Sequence, residues 1–219
     1  MNIIILIIAT ENSNKYIEMQ NIWRKYMNKH PNIMSFFIKC DINIENDIYF
    51  NKNLNTIYIK DIETYSPGIF NKTIKSIQYC LNNFDFDYIY RTNLSSFLNL
   101  DKMYNFISNN HIEYGGVIGN YNNINFASGS GFFISKNACN FLISYDRTIN
   151  INDYLDDVTI AIILTKKYKI DFINRIDIDK IDNIFLYNKE TDIFHYRCKS
   201  DDFHNLTLDI MNKLYDLLY

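Results

Sequence analysis

The sequence predicts an α/β domain whose central sheet is mostly parallel and flanked by helices. Three observations carry that expectation. The opening run, MNIIILIIAT, is continuously apolar and largely β-branched, which is how a strand buried on both faces of a parallel sheet reads. From residue 2 to residue 119, strand-like and helix-like segments alternate, the pattern of right-handed crossover connections. Two prolines and six glycines leave little room for a linker, and no repeat or shift in composition divides the chain. One domain, 1–219, is therefore expected.

Each element follows in order. The buried strand covers 2–9. The polar turn ENSN leads into an amphipathic helix near 14–29, with Ile17, Ile22 and Trp23 expected in the core and Pro31 ending it. Strands are predicted at 33–39 (IMSFFIK) and 55–60 (TIYIK). The turn YSPG precedes a helix at 69–82. A strand at 86–91 runs into the polar loop RTNLSS, then come a helix at 101–109 and a strand at 115–119. The second half is less regular. NFASGSGFFIS covers 125–135, helices are predicted at 136–145 and 153–167, and short strands at 169–173 and 192–198. A polar amphipathic helix, 203–219, closes the sequence.

Composition narrows the function classes. A net charge of −3 gives no general attraction to nucleic acid, although a local basic patch stays open. The opening apolar run is far shorter than the ~20 residues of a spanning helix. It has neither a basic leader nor a small-residue cleavage site, so no membrane span and no signal peptide are expected. The four cysteines, Cys40, Cys80, Cys139 and Cys198, form no CxxC pair. Reduced thiols in a cytoplasmic protein follow, and no zinc site is expected. The abundance of Ile, Asn, Lys and Tyr reads as AT-rich codon usage.

Four stretches carry candidate chemistry. In YIYRTNLSSFLN (88–99), Arg91, Thr92, Asn93, Ser95 and Ser96 gather where a strand ends, and ligands of open α/β sheets sit outside the carboxyl ends of strands. Five of the six glycines fall between Gly115 and Gly131. ASGSG, with Ser128, Gly129, Ser130 and Gly131, is either a tight β-turn or backbone laid against a ligand. It fits neither a P-loop nor a dinucleotide fingerprint. DYLDD (153–157) places carboxylates in a first helical turn. That placement is explained by capping and the helix dipole, or by one carboxylate serving a cleft as general base. Asp156 and Asp157 project about 100° apart on a helix, so only one of them can serve it. In FHYRCK (194–199), His195, Arg197 and Lys199 share one strand face. That face is either solvated or an anion site for a diphosphate.

Taken in chain order, these pieces resemble GT-A glycosyltransferases of the fringe and β-1,3-galactosyltransferase type. The matching stretches are IIILIIATENSNKYIEMQNIWRKY, DIETYSPGIFNKTIKSI, RTNLSSFLN, SGSGFFIS and DDV, in order and at similar spacing from residue 2 to about 165. The RTNLSSF variant also looks like small GT-A enzymes of large DNA viruses that decorate capsid glycans, and for such a source the setting would be the host cytoplasm. The resemblance implies a Rossmann-like GT-A domain. Residues up to about 100 would form its nucleotide-sugar half, and residues 101–219 its acceptor-side half. It implies transfer of a sugar from a nucleotide-sugar donor, a UDP-sugar first, to a hydroxyl of a glycan or glycoprotein. Asp157 would be the general base of an inverting displacement.

Where the family carries Asp-x-Asp for a divalent metal, this sequence has Asn93, Leu94 and Ser95. Manganese or magnesium dependence is therefore open: either Asn93, Ser95 and His195 form a weak metal site, or Arg197 and Lys199 replace the metal's charge. The resemblance places donor or acceptor contacts at Thr10, Asn12, Asp61, Glu63, Tyr65, Arg91, Thr92, Asn93, Ser95, the 128–131 stretch and Asp156, and the shared strand face adds His195, Arg197 and Lys199 as donor contacts. Two alternatives remain. One is a GT-A domain that binds a nucleotide sugar or glycan without transfer. The other is a nucleotidyltransferase, for which paired metal-binding acids and a Gly-rich phosphate loop near the first strand are missing.

Overall fold

The structure is a computed structural model that describes residues 1–145, 154–182, 184, 192–199, 204 and 206–219. Residues 153 and 203, where two of the predicted helices begin, lie outside that set. The strands are β1 (Ile3–Ile8), β2 (Ile33–Cys40), β3 (Ile48–Asn51), β4 (Thr56–Ile59), β5 (Tyr88–Asn93), β6 (Ser96–Leu98), β7 (Tyr114–Tyr121), β8 (Ile124–Ser135), β9 (Asp171–Phe172), β10 (Ile176–Asp177) and β11 (His195–Arg197). The helices are α1 (Asn14–Tyr26), α2 (Gly68–Asn83), α3 (Leu100–Asn109), α4 (Lys136–Ser144), α5 (Asp156–Leu164) and α6 (Thr207–Leu218).

Eight strands form one sheet in the order β3-β4-β2-β1-β5-β8-β7-β9, and β10-β11-β6 form a second, small sheet. The pairs β1–β2, β1–β5, β2–β4 and β7–β9 are parallel; β3–β4, β5–β8 and β7–β8 are antiparallel. The period-2 alternation of β1 explains the layers. Ile3, Ile5 and Ile7 pack in one cluster with Trp23 and Tyr26 of α1, while Ile4 and Leu6 pack in the other with Phe70, Ile74 and Ile77 of α2.

Several expectations are corrected. The first helix ends at Tyr26, well before Pro31. Its buried face is Met19, Gln20, Ile22, Trp23 and Tyr26, an i, i+3, i+4 stripe. Ile17 falls on the far side and is 40% exposed, so it is not a core contact. The edge strand β3 forms a hairpin with β4 that the sequence reading missed, its turn carrying Asn55 at φ 47°. Most important here, ASGSG is no tight turn. It lies inside the long strand β8, and no glycine in the described chain has positive φ.

β8 is not regular there. Between Gly116 and Ile118, β7 advances two residues, while β8 advances five, from Ala127 to Phe132. The surplus residues bulge away from β7, and a bulge of this kind re-aims the chain next to a site. Among the described residues no helix is long and apolar enough to cross a membrane.

Candidate functional site

A cavity of about 480 Å³ opens at the carboxyl ends of β1, β4 and β5. The residues that follow β1 (Ala9, Thr10, Asn12) form one wall. Glu63, Thr64 and Tyr65, after β4, form a second with Ile69 and Lys72 of α2. Asn93 with Leu94 and Ser95, where β5 turns into β6, form the rim. Arg197, Lys199 and His204 close the far side. A larger hollow of about 740 Å³, between the β7–β8 hairpin and α5, contains none of the predicted site residues.

Local interactions explain why these groups converge. Ser13 caps α1 by accepting from the Lys15 N–H at 3.3 Å, and Gln20 Nε2 donates to the Thr10 carbonyl at 3.0 Å, so the β1–α1 turn is tied to its helix. The Trp23 indole N–H donates to the Leu94 carbonyl at 3.0 Å, anchoring the rim turn from below. Lys72 is fully buried. Its ammonium donates to the Ala9 carbonyl at 3.0 Å and pairs with Glu63, whose other oxygen accepts the Cys40 N–H at 3.1 Å. A paired lysine of this kind braces the floor and leaves no net charge there.

Arg197 differs. It is half-buried, and among the described residues its guanidinium makes no ion pair and no side-chain hydrogen bond. Burial and repulsion from Arg175 lower its proton affinity, and Asp177 offsets this only in part. Arg175 itself is held by Asp177, with Nε donating to Oδ1 at 2.5 Å, and by the hydroxyls of Ser128 and Ser130.

The seam between β5 and β8 is polar and closed. Arg91 is buried, pairs with Asp156, and donates to the Gly129 carbonyl; among the described residues its Nε has no partner. Thr92 donates to the Ser130 carbonyl at 2.6 Å, and Ser96 donates to the same oxygen at 2.9 Å. His195 is buried between the Tyr90 hydroxyl, 3.0 Å from Nδ1, and the Ser96 hydroxyl, 3.0 Å from Nε2. Burial and the nearby charges of Arg175 and Arg197 push its pKa down to about 3, so the imidazole is neutral.

Asp157 is half-buried at the start of α5. Oδ2 accepts the Gly129 N–H at 2.7 Å and Oδ1 accepts the Val158 N–H at 3.0 Å. Burial and the Asp156 charge raise its pKa, more than these bonds and Arg91 lower it. The SGSG bulge lies against it and against the seam. A side chain at Gly129 would meet Arg91 Nη1 at 2.7 Å and Asp157 Oδ2 at 3.0 Å, and one at Gly131 would fall on the Tyr90 hydroxyl. The glycines therefore make room for protein side chains.

Of the predicted contacts, Thr10, Asn12, Asn93, Ser95, Arg197 and Lys199 line the cavity, as do Glu63 and Tyr65. The structure places the other predicted residues outside the cavity lining. Asp61 does not line the cavity; it accepts from the Ile62 N–H at 2.8 Å and lies 4.0 Å from Lys75. Arg91, Thr92 and Asp156 are spent on the seam. His195 is neutral, and both its ring nitrogens are engaged by hydroxyls of the seam. Ser128 and Ser130 point their hydroxyls at Arg175, and Asp157 lies next to the bulge but is not part of the cavity lining.

The rim does not fit a divalent cation. It offers an amide and hydroxyls where hard cations prefer carboxylates, and among the described residues no three His, Cys, Asp or Glu side chains cluster. Sequence reading missed Lys72, which looks like any helix-surface lysine, and Arg175, which stands in no motif.

No protein-family model and no curated protein matches the chain. Solved structures do match. One is a glycosyltransferase involved in the glycosylation of the major capsid of PBCV-1, with 11% identity and a TM-score of 0.62 over 97% of this chain and 100% of that one. Another is the galactosyltransferase LgtC in complex with donor and acceptor sugar analogues, with 10% identity and a TM-score of 0.51 over 100% of this chain and 97% of that one. The shared property is the fold: this chain has the GT-A architecture.

Proposed function

We propose that the chain is a glycosyltransferase that moves a sugar from a nucleotide-sugar donor, a UDP-sugar first, to a hydroxyl of a glycan or glycoprotein in the cytoplasm. The observation that carries this reading is Arg197. Among the described residues it makes no ion pair, and it stands in a cavity at the carboxyl ends of parallel strands, where α/β sheets take their ligands. A diphosphate answers that charge, and the GT-A architecture supplies the class of reaction. The donor's nucleoside lies towards Thr10 and Asn12. Its diphosphate meets Arg197 and Lys199 with Asn93 and Ser95, and no metal takes part.

The acceptor oxygen attacks the anomeric carbon as the bond from that carbon to the diphosphate oxygen breaks. The electron pair leaves on the diphosphate, where Arg197 stabilises it. Asp157 takes the acceptor proton. Its two oxygens each accept one backbone N–H, which leaves lone pairs to receive it. The single displacement inverts the anomeric centre.

One observation favours the second reading, a domain that binds the donor without transferring it: Asp157 stands outside the cavity lining. Nucleotide release from UDP-sugars by wild type and by Asp157→Asn separates the two. Transfer is expected to fall about 10²–10⁴-fold in the variant with donor binding retained. Turnover equal in both removes Asp157 from its role, and no turnover in wild type, with donor bound, establishes the second reading.

A further inference from the structure

Behind the cavity rim, three buried polar groups that the proposed reaction does not use, Tyr90, His195 and Ser96, run up to the half-buried Asn93. Tyr90 and His195 are almost wholly buried, and Ser96 is completely so. The Tyr90 phenol has its hydrogen bond to His195 Nδ1, at 3.0 Å. A buried hydroxyl uses its hydrogen, so the phenol donates and the imidazole proton sits on Nε2. From there it points at Ser96 Oγ, 3.0 Å away. Ser96, accepting there with one lone pair, shares its single hydrogen between the Ser130 carbonyl at 2.9 Å and the Asn93 Oδ1 at 3.2 Å, and Ser95 Oγ donates to the same Asn93 oxygen at 3.4 Å. Two hydroxyls thus hold the carbonyl end of the Asn93 amide. Asn93 lines the cavity, and the NH₂ is the end of its amide that these bonds do not use.

We infer that His195 and Ser96 are positioning residues that aim the Asn93 amide hydrogens into the cavity, making Asn93 a neutral N–H donor to a phosphate oxygen of the bound nucleotide. This rests on the reading of the cavity as a nucleotide-sugar site. The chemistry agrees with the rest of the rim. An N–H donor and a guanidinium without an ion pair among the described residues both suit an anion and both repel a cation. The neutrality of His195 is part of the device: an imidazole with pKa about 3 keeps one nitrogen as acceptor for Tyr90 and one as donor for Ser96 across the physiological range. Gly131 is part of it too, since a side chain there would fall on the Tyr90–His195 contact.

The test compares a nucleoside diphosphate with its nucleoside, in EDTA, by titration calorimetry and competition NMR. The probes are UDP, GDP and dTDP with uridine, guanosine and thymidine, and the diphosphate that binds wild type most tightly is carried forward. Ser96→Ala is expected to weaken the diphosphate about tenfold and to leave the nucleoside within about twofold. Asn93→Ala is expected to do the same, and the double variant to bind no more weakly than Asn93→Ala alone, because Ser96 acts through Asn93. His195→Gln should reproduce the Ser96→Ala pattern; where it does not fold, Ser96→Ala decides. Equal loss for nucleoside and diphosphate, additive losses in the double variant, or no loss at all overturns the positioning role and leaves the function proposed above standing. Failure of wild type to bind any of the three diphosphates overturns both.

Discussion

On the cavity side of β5's carboxyl end, Asn93 and Ser95 face open space, and Arg197 opposite them makes no ion pair among the described residues. On the α5 side, Arg91 is buried against Asp156 and the Gly129 carbonyl. Both sides place an arginine beside polar groups of the same short stretch, RTNLSS. One arginine is consumed by the fold and the other is kept for a ligand. What separates them is the presence of a carboxylate. Asp156 neutralises Arg91, whereas Asp177 is engaged bidentately by Arg175 and only partly offsets the charge on Arg197. A cluster of polar residues at a strand end is therefore not one site; Arg91, Thr92 and Ser96 build a seam, and Asn93 to Ser95 build a rim.

The sharpest way to break this contrast is to remove each arginine. Arg91→Met leaves Asp156 without its partner in a place largely shut off from water, and should cost about 3–5 kcal/mol of stability, read by urea unfolding. Arg197→Met should leave stability within about 0.5–1 kcal/mol. Similar losses for the two would erase the distinction between seam and rim.

Next in size is Gly131→Ala. Its methyl group lands on the Tyr90 hydroxyl and close to His195, an overpacking expected to cost about 1–3 kcal/mol. Gly129→Ala presses instead on Arg91 and Asp157, so its loss should show in turnover as well as in stability.

A third effect builds up only in acid, on the acid limb of stability. His195 has a folded pKa of about 3 against about 6.5 unfolded. The unfolded chain therefore takes up a proton that the folded one refuses as pH falls below 6.5. The stabilisation is whole above that value and is lost at about 1.4 kcal/mol per pH unit on the way to 3. His195→Gln should flatten the slope relative to wild type. An unchanged slope would mean that the imidazole is not the neutral bridge of the seam.

The smallest effect concerns Asp157. Its pKa is raised first by burial and then by Asp156, so the folded protein disfavours its ionised form, and stability drops as pH rises through that raised value. A base works ionised, so nucleotide release should rise with pH through a limb above the ordinary aspartate range. Asp156→Asn removes the repulsion and releases Arg91, moving that limb to lower pH; a shift upward would contradict the electrostatics.

Much of the scaffold is legible in sequence because it follows from periodicity. β1, β2, β5 and α2 come from β-branched runs and an amphipathic stripe that need no distant partner to be read. The bulge in β8 is not legible. Its glycines look the same whether they supply positive φ, approach a ligand, or clear space for Arg91 and Tyr90, and only the register against β7 decides. The site divides in the same way. Asn93, Ser95 and Arg197 could be placed because strand ends and strand faces have a rule. The burial of His195, the pairing of Asp156 with Arg91, and the role of Arg175 depend on contacts between residues 65 or more apart or outside any motif. Short-range pattern carries no information about them.

The most direct test is titration of UDP-sugars into wild type and Arg197→Met, each in EDTA and each with added Mn²⁺. A rim built for an anion predicts that wild type binds a donor in EDTA, that Mn²⁺ adds little, and that Arg197→Met loses about tenfold or more in affinity while keeping its melting temperature. Donor binding that appears only with Mn²⁺, or that survives the loss of Arg197 unchanged, would contradict it.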